Sequence, residues 1–245
     1  MRTALVTGAS RGLGLALART LVGRGWALVL DARDGAALED AATSITTDGP
    51  VVTSTAPVRV VPGDVADPRH RERLAAAVEA LGGLDLLVSN ASSLGPTPLP
   101  PLAEVPAHAL TELLEVNTVA PLALLQAVLP WLRESRGTVV DVTSDVAVEA
   151  VAGWGAYGAS KAALDQLSAV LALEHPELAV YAFDPGDMRT AMHQAAFPGE
   201  DISDRPDPRT VVPALLRLVD DRPPSGRYRA SDLLAAEAAV VGGHA

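Results

Sequence analysis

Two side chains that can move a proton, Tyr157 and Lys161, stand four residues apart at the start of a predicted helix. Residues at this spacing share one helix face, so the phenol and the ammonium lie close together. A free tyrosine has a pKa of about 10, too high for efficient acid–base work at neutral pH, and we expect the ammonium to lower it. The pair therefore predicts a proton-transfer site.

Ser144 adds a hydroxyl to this pair. It lies just past a predicted strand and near enough to Tyr157 in the chain for a loop to bring their hydroxyls together. There it would donate a hydrogen bond to a substrate oxygen on which negative charge develops. The structural alternative is that Tyr157 is a buried aromatic residue and Lys161 a solvated helix residue.

Short apolar strands alternate with helical patterns along nearly the whole chain, which is typical of a parallel sheet covered on both faces. The predicted strands are Ala4–Thr7, Ala27–Leu30, Val58–Val61, Leu84–Ser89, Thr138–Val142, Ala179–Phe183 and Gly226–Ala230. The predicted helices are Leu13–Gly23, Arg69–Leu81, Ala107–Leu132, Tyr157–Glu174, Pro208–Val219 and Ser231–Val240. The fold class is thus α/β, a Rossmann-like doubly wound sheet in a three-layer sandwich, which binds ligands beyond the carboxyl ends of its strands.

Three connections lack a periodic pattern. Thr43–Pro57 is polar and predicts an exposed insertion, whereas Met188–Pro208 follows the sixth strand and predicts a substrate lid. Gly95–Pro101 lies over the same sheet edge, either as part of the site or as a simple irregular connection. No interdomain linker is visible, so we expect residues 1–245 to form one domain.

Between the first predicted strand and the first predicted helix, residues 7–14 read TGASRGLG. Glycines in such a turn allow a sharp bend, a close approach of backbone to a pyrophosphate, and close packing of the helix on the sheet. The helix N-terminus then offers free N–H groups to an anion. Glycine-rich turns also arise for packing alone, so this segment by itself leaves both interpretations open.

Composition narrows the classes of function. The 245 residues are 49% apolar, enough for one sizeable core. A net charge of −11 opposes nucleic-acid binding, which depends on Lys and Arg. The absence of cysteine excludes disulfides and thiolate chemistry, and the five scattered histidines predict no metal site. No run approaches the roughly 20 apolar residues of a membrane span, and no leader pattern precedes the first strand, so we expect no membrane association and a cytoplasmic location.

With these motifs in this order, the chain resembles the short-chain dehydrogenase/reductase family from Thr3 to Tyr228. The family signatures Thr-Gly-x-x-x-Gly-x-Gly and Tyr-x-x-x-Lys match residues 7–14 and 157–161. The resemblance implies a catalytic tetrad of Asn117, Ser144, Tyr157 and Lys161. In similar enzymes the tyrosine is the general acid/base and the serine holds the carbonyl or hydroxyl oxygen. The lysine binds the nicotinamide ribose and lowers the tyrosine pKa, and the asparagine positions a water in the proton relay.

The resemblance also implies a set of cofactor contacts along the sheet edge. Asp64 and Val65 match the family's adenine contacts, and Met188 and Thr190 match its carboxamide contacts. The full implied set is Gly8, Ser10, Arg11, Gly12, Leu13, Gly14, Arg33, Asp64, Val65, Asn90, Ala91, Ser92, Tyr157, Lys161, Pro185, Gly186, Met188 and Thr190. One residue departs from the family pattern, because Ser92 stands where the family has glycine and brings a Cβ and a hydroxyl near the ribose or nicotinamide.

The end of the second predicted strand bears on the choice between NAD and NADP. An acidic residue there accepts the 2′-hydroxyl of NAD, whereas an arginine favours the 2′-phosphate of NADP. The chain has both Asp31 and Arg33, but Ala32 occupies the slot in which NAD-preferring relatives carry aspartate. Arg11 fills the other position where NADP-preferring relatives place a base. We therefore expect NADP(H) in preference to NAD(H), the alternative being that both arginines are surface charges.

The sequence thus predicts an NADP(H)-dependent ketoreductase that interconverts a ketone or aldehyde and its alcohol. The predicted substrate wall is mainly apolar, which favours a small or medium hydrophobic carbonyl compound, and comprises Ser92, Ser144, Asp145, Val146, Trp154, Tyr157, Met188, Met192 and Phe197. Two alternatives stay open: non-redox chemistry such as dehydration, epimerisation or rearrangement, and a catalytically silent NADP-sensing regulator. Relatives commonly pair through their long helices, so we expect a homodimer or homotetramer.

Overall fold

The computed structural model describes residues 1–47 and 55–242, and seven strands of this part form one parallel sheet. The strands are β1 Thr3–Val6, β2 Ala27–Ala32, β3 Val58–Pro62, β4 Leu86–Ser89, β5 Thr138–Val142, β6 Ala179–Asp184 and β7 Gly226–Arg229. Their order across the sheet is β3-β2-β1-β4-β5-β6-β7, and every neighbouring pair is parallel. The order reverses between β1 and β4, which is where doubly wound sheets open a ligand crevice.

Helices cover both faces of the sheet. They are α1 Gly12–Gly23, α2 Gly35–Thr47, α3 Pro68–Ala80, α4 Ala107–Leu114, α5 Ala120–Ser135, α6 Gly155–Glu174, α7 Ala191–Ala196, α8 Val212–Asp221 and α9 Ala230–Gly242. Alternate strand residues enter two separate cores: Ala4 and Val6 pack with residues of α1 and α8, whereas Leu5 packs with residues of α3 and α5. The predicted α/β fold class is confirmed.

The predicted exposed insertion at Thr43–Pro57 is wrong at its start, because residues 43–47 are the last turn of α2. An apolar stripe signals this helix, since Leu38, Ala41 and Ile45 are buried on one face. Three hydroxyls near its end donate to helix carbonyls at 2.8–3.1 Å, so these polar residues are compatible with a helix; they are Ser44, Thr46 and Thr47. Residues 48–54 of the predicted insertion lie outside the described residues.

The predicted helix Ala107–Leu132 is interrupted by a wider π-helical turn at Glu115–Val119. Pro121 has no N–H to donate to the carbonyl of Asn117, which an uninterrupted α-helix would require. The turn carries Asn117, whose side chain is fully buried against α6. The interruption therefore places a residue of the predicted tetrad.

In the part of the chain that the structure describes, one continuous helical stretch, Ala107–Ser135, is long and apolar enough to cross a membrane by length and composition. Leu124, Val128 and Leu132 of this stretch are buried in the core beneath the sheet, beside residues of α3. Packing in the fold accounts for part of the apolar character of this helix.

Candidate active site

A cleft of about 700 Å³ opens along the carboxyl edge of the sheet. Its walls come from the glycine-rich turn after β1 and from the ends of β2, β3, β4, β5 and β6. It brings together most of the predicted site residues, namely Gly8, Ser10, Arg11, Gly12, Leu13, Arg33, Asp64, Val65, Asn90, Ala91, Ser92, Ser144, Asp145, Trp154, Tyr157, Lys161, Pro185, Gly186, Met188, Thr190 and Met192. The structure thus joins the predicted cofactor and proton-transfer residues in one crevice.

Four predicted residues lie behind the cleft wall. Gly14 sits under the glycine-rich turn, where a Cβ would come within 2.5 Å of the Gly8 carbonyl oxygen, so this glycine allows α1 to pack closely. Asn117 is buried behind the wall, and Val146 and Phe197 pack in an apolar cluster around Tyr157.

Sequence reasoning missed a further group of lining residues, most of them close to strand ends. They are Asp31, Ala32, Asp34, Ala37, Gly63, Leu94, Val116, Val142, Thr143, Asp184, Asp187, Ala191 and His193. The rule that ligands lie beyond the carboxyl ends of parallel strands would have found those at the ends of β2, β3, β5 and β6.

The glycine-rich turn has the backbone that an anion site requires. Gly8 and Gly12 adopt φ of +66° and +58°, which residues with a Cβ rarely do. The Asn90 side chain donates to the carbonyls of Thr7 at 2.8 Å and Gly8 at 3.1 Å and so fixes the turn to β4. At the start of α1, the Arg11 side chain makes no capping hydrogen bond, so first-turn N–H groups stay available to a ligand, and Gly12 and Leu13 of this turn line the cleft. These groups fit a dinucleotide pyrophosphate.

Asp31, at the end of β2, uses its carboxylate for contacts within the protein. Its carboxylate lies 2.5 Å from the Nε2 of buried His70, and Arg73 donates to the other ring nitrogen at 2.9 Å, which leaves Nε2 as the donor to Asp31. Burial raises the pKa of Asp31, and hydrogen bonds from His70 and from the Gly8 N–H oppose this rise. The carboxylate therefore supports the glycine-rich turn from below.

Arg33 and Arg11 differ from Asp31, because both are exposed at the cleft. Among the described residues, neither guanidinium forms an ion pair. Both are therefore free to bind an anionic ligand.

Tyr157 and Lys161 project from the first turns of α6 into the cleft, as predicted from their spacing. The α6 helix lies close to the turn after β5, since a Cβ on Gly158 would approach the Val146 carbonyl oxygen to 2.6 Å. The ammonium of Lys161 lies 5.8 Å from the centre of the Tyr157 ring and donates to the Val142 carbonyl at 2.8 Å. The sheet edge and the helix together fix the pair.

The expected lowering of the Tyr157 pKa does not occur in this structure. Burial raises the pKa of Tyr157 to about 12; an interaction with the Ser92 hydroxyl lowers it, and Asp145 and Asp184 raise it. Burial likewise lowers the pKa of Lys161 to about 8, so its ammonium form still predominates at neutral pH. The effect of burial on these two pKa values exceeds the effect of the neighbouring charges, because both side chains are almost completely removed from water.

The Ser144 hydroxyl is hydrogen-bonded to its neighbour in the chain rather than to the phenol. It donates to the Asp145 carboxylate at 2.9 Å, and that carboxylate also accepts from the Val146 N–H at 2.8 Å. The Ser144 carbonyl accepts a hydrogen bond of 2.8 Å from Arg227, which also pairs with Asp184 at 3.0 Å. The backbone of Ser144 is thus held, and its hydroxyl is bonded to Asp145.

Asn117 uses every hydrogen-bonding position of its side chain. Its Nδ2 donates to the Ser93 carbonyl and to the Ser160 hydroxyl, each at 2.9 Å. Its Oδ1 accepts from the Ser93 N–H at 2.9 Å and from the Ser92 hydroxyl at 3.1 Å. Because Ser160 also donates to the Tyr157 carbonyl at 2.7 Å, Asn117 ties the end of β4 to α6.

An apolar wall closes the cleft beside Tyr157. The Trp154 ring lies 5.7 Å from the Tyr157 ring and 6.0 Å from the Phe197 ring. Met192 of α7 and Leu99 of the proline-rich connection pack in the same cluster. The segment 188–208 therefore contributes to the wall of the site, whereas Leu99 of segment 95–101 packs in the apolar cluster behind it.

Comparisons with known proteins agree with this geometry. A family model described as short chain dehydrogenase matches residues 2–201. The chain is 33% identical over 224 residues to the uncharacterized oxidoreductase YciK of Escherichia coli (strain K12), covering 90% of this chain and 86% of that protein. It is 33% identical over 219 residues to L-fucose dehydrogenase of Oryctolagus cuniculus, covering 86% of this chain and 69% of that protein.

Solved structures of short-chain dehydrogenases and of an alcohol dehydrogenase are also similar to this protein. A short-chain dehydrogenase from Escherichia coli CFT073 complexed with NADPH has a TM-score of 0.84 at 32% identity, over 94% of this chain and 96% of that chain. An alcohol dehydrogenase from the archaeon Thermococcus sibiricus complexed with 5-hydroxy-NADP has a TM-score of 0.82 at 27% identity, over 94% and 95%. The protein described here therefore belongs to the short-chain dehydrogenase family of oxidoreductases, which use a nicotinamide cofactor.

Proposed function

We propose that this oxidoreductase is an NADP(H)-dependent reductase of ketones or aldehydes that also runs the reverse alcohol oxidation. The observation that carries the proposal is the meeting of Tyr157, Lys161 and Ser144 in the same cleft as the anion-binding turn. A nucleotide sensor without turnover has no need of this proton-transfer group. Product analysis distinguishes the proposed reaction from non-redox chemistry in the same cleft.

In the proposed reaction, the side chains of the site have separate roles. When bound, the nicotinamide supplies a hydride to the carbonyl carbon or accepts one from the alcohol carbon. In reduction, the Tyr157 O–H bond breaks as its proton passes to the carbonyl oxygen, leaving a phenolate that regains a proton from solvent. Lys161 places a positive charge beside this phenolate, and Ser144, once rotated from Asp145, donates a hydrogen bond to the substrate oxygen.

The proposed preference for NADP(H) rests on the difference between a buried aspartate at the end of β2 and two exposed arginines on the same cleft. Asp31 is buried and committed to His70 and Gly8, so it is poorly placed to accept a ribose hydroxyl. Arg33 and Arg11 are exposed on the same cleft, where guanidinium groups suit a 2′-phosphate. The relatives complexed with NADPH and 5-hydroxy-NADP support the same preference.

The proposed substrate is a small or medium hydrophobic carbonyl compound. The apolar side chains of Trp154 and Met192 on the cleft wall, with Phe197 packed behind them, support this proposal, because apolar groups next to the phenol favour apolar substituents on the carbonyl. Residues 188–208 would act as a lid, since α7 contributes to that wall and the Arg189 N–H bonds the Pro206 carbonyl at 2.8 Å across the base of the segment.

Three further parts of the proposal concern the whole protein. We propose that residues 1–245 act as one catalytic domain, that the enzyme works in the cytoplasm, and that it assembles as a homodimer or homotetramer. Exposed apolar residues on α6, Val170 and Leu173, are consistent with such an assembly.

The reaction is tested by following NADPH absorbance with a panel of ketones and aldehydes, and by identifying the products. We expect NADPH consumption matched by alcohol formation with at least one apolar carbonyl compound. Tyr157→Phe should abolish turnover and leave NADPH affinity unchanged, because it removes the proton and keeps the ring. Retained turnover in this variant, or substrate conversion without NADPH consumption, would overturn the proposal.

A further inference from the structure

Strand β7 stands at the edge of the sheet, and none of its four described residues lines the cleft. Its two arginines, Arg227 and Arg229, are two residues apart and therefore project from the same face of the strand. Tyr228, between them, packs against the core. The arginines contact β6, α6 and the turn after β5, and the proposed function does not yet use these contacts.

The guanidinium of Arg227 joins three elements. Its Nη2 donates to the Ser144 carbonyl at 2.8 Å and to the Asp184 carboxylate at 3.0 Å, and its Nε donates to the Asp165 carboxylate at 3.1 Å. Ser144 follows β5, Asp184 ends β6 and Asp165 lies in α6. A planar guanidinium presents several donors in fixed directions, which a lysine ammonium does not. Arg227 therefore ties the end of β5 to the helix that carries Tyr157.

Burial distinguishes the contacts of Arg227 from those of its neighbour. The side chain of Asp184 is 4% exposed and that of Arg227 is 23% exposed, so water and salt screen this ion pair only weakly. Arg229 pairs with Glu149 at 2.5 Å, but these side chains are 41% and 58% exposed, and exposed ion pairs contribute little. Arg227 is therefore the arginine whose contacts can fix the backbone beside the cleft.

The backbone that Arg227 binds is a short turn that begins at Ser144. The Ser144 carbonyl also accepts from the Ala147 N–H at 3.1 Å, and the Asp145 carbonyl accepts from the N–H groups of Val148 and Glu149 at 3.0 and 2.9 Å. The Ser144 hydroxyl has to leave the Asp145 carboxylate before it can bind a substrate oxygen. Where the hydroxyl then lies depends on where the backbone of this turn is held.

We propose that Arg227 is a positioning residue, which holds the Ser144 backbone where the Ser144 and Tyr157 hydroxyls reach the same substrate oxygen. The proposal rests on the proposed function, in which Ser144 donates a hydrogen bond to that oxygen. Arg227 acts through the Ser144 carbonyl and does not line the cleft. Without the guanidinium, the turn after β5 loses a donor and the buried Asp184 carboxylate loses its nearest cation.

The test compares two arginines that bind backbone carbonyls at opposite ends of β5. Arg227 binds the Ser144 carbonyl after the strand, whereas Arg222 donates to the Arg136 carbonyl before it at 2.7 Å. We expect Arg227→Gln to lower turnover about tenfold per bound NADPH, because a small displacement of a catalytic group is costly. Counting bound NADPH by fluorescence titration removes any unfolded fraction from the comparison. Arg222→Gln is the matched control and should keep the wild-type turnover.

Hydrogen–deuterium exchange of the NADPH-bound enzyme measures how firmly the turn is held and needs no turnover. In Arg227→Gln, peptides that contain residues 144–149 should exchange faster, since the Ser144 carbonyl keeps only one of its two donors. Arg227→Lys keeps a cation beside Asp184, but its single nitrogen does not reproduce the three directed bonds of the guanidinium. This second variant should show both effects, and it provides the test if Arg227→Gln does not fold.

Unchanged exchange at residues 144–149 would overturn the role of Arg227, and so would faster exchange with full turnover per bound NADPH. Full turnover in Arg227→Lys would also overturn it, because a positive charge alone would then suffice. An equal loss of turnover in Arg222→Gln would mean that general destabilisation causes the effect. Failure of the proposed function looks different: the wild type would consume no NADPH with any carbonyl compound, while exchange would still report the contact between Arg227 and Ser144.

Discussion

At the scale of single residues, the polar groups of the site fall into two kinds. Some are hydrogen-bonded within the protein, and others are exposed and available to a ligand. Asp31 and Asn117 are buried and hydrogen-bonded within the protein, so they hold the turn and the helix that carry the reactive groups. Arg33 and Arg11 are exposed without ion pairs among the described residues. Free charges at a cleft are available to a ligand, whereas committed ones fix the shape of the cleft.

The free guanidinium of Arg33 leads to a prediction on cofactor choice. Arg33→Ala should weaken NADPH binding at least tenfold and leave NADH binding nearly unchanged, because only NADPH carries the 2′-phosphate. Fluorescence titration with both cofactors measures this difference. Arg69→Ala is the matched control, since Arg69 is exposed, does not line the cleft and carries the same charge. Equal losses for NADPH and NADH in Arg33→Ala would contradict the assignment.

At the scale of elements, the position of Tyr157 depends on how closely α6 approaches the turn after β5. A Cβ at Gly158 would come within 2.6 Å of the Val146 carbonyl oxygen, so Gly158→Ala must move the helix or the turn. We expect kcat to fall at least tenfold, since small displacements of a proton donor are costly, while NADPH affinity changes little. Steady-state kinetics and fluorescence titration measure the two effects.

Gly23→Ala provides the control for this substitution. Gly23 also lies in a helix, but a Cβ there meets nothing within 4 Å. The substitution should leave kcat unchanged and increase the free energy of unfolding by at most about 1 kcal/mol, since Gly23 is the last residue of α1 and only helix propensity changes. If Gly158→Ala kept its full kcat, the close approach of α6 to the turn would have no part in placing the phenol.

Most elements could be predicted from the sequence, and the exceptions have physical causes. Continuous apolar runs such as Ala27–Leu30 are recognisable because both sheet faces bury them. Helix α2 is absent from the predicted helices because the serine and threonine residues near its end have low helix propensity, although Ile45 completes a buried stripe. The π-helical turn leaves no periodic signal, since helical spacing continues on both sides of Asn117.

The site was predictable in its residue types but not in its energetics. The spacing of Tyr157 and Lys161 correctly predicts a shared helix face, yet the pKa of the phenol depends on burial by residues distant in the chain, such as Phe197 and Leu94. The buried contact of Asp31 was likewise not predictable, because its partner His70 lies in α3, far away in the chain. Desolvation and long-range pairing arise from the complete fold, so local patterns do not reveal them.

At the scale of the whole molecule, the cleft is assembled from distant parts of the chain. Its walls run from Gly8 after β1 to His193 in α7, and the sheet joins them through β1, β4, β5 and β6. A ligand in this cleft contacts both halves of the sheet. Its binding energy should therefore stabilise the fold as a unit.

This leads to a prediction for thermal unfolding. NADPH at 100 times its Kd should add about 2.7 kcal/mol to the free energy of unfolding, which raises Tm by about 5–10 °C for a chain of this size. Differential scanning calorimetry should show one transition that moves as a whole. In Arg33→Ala, a tenfold weaker affinity at the same NADPH concentration reduces the added free energy by about half. A second transition whose midpoint temperature did not change with NADPH would mean that part of the chain unfolds independently of the cleft. That result would contradict the proposal that residues 1–245 act as one domain.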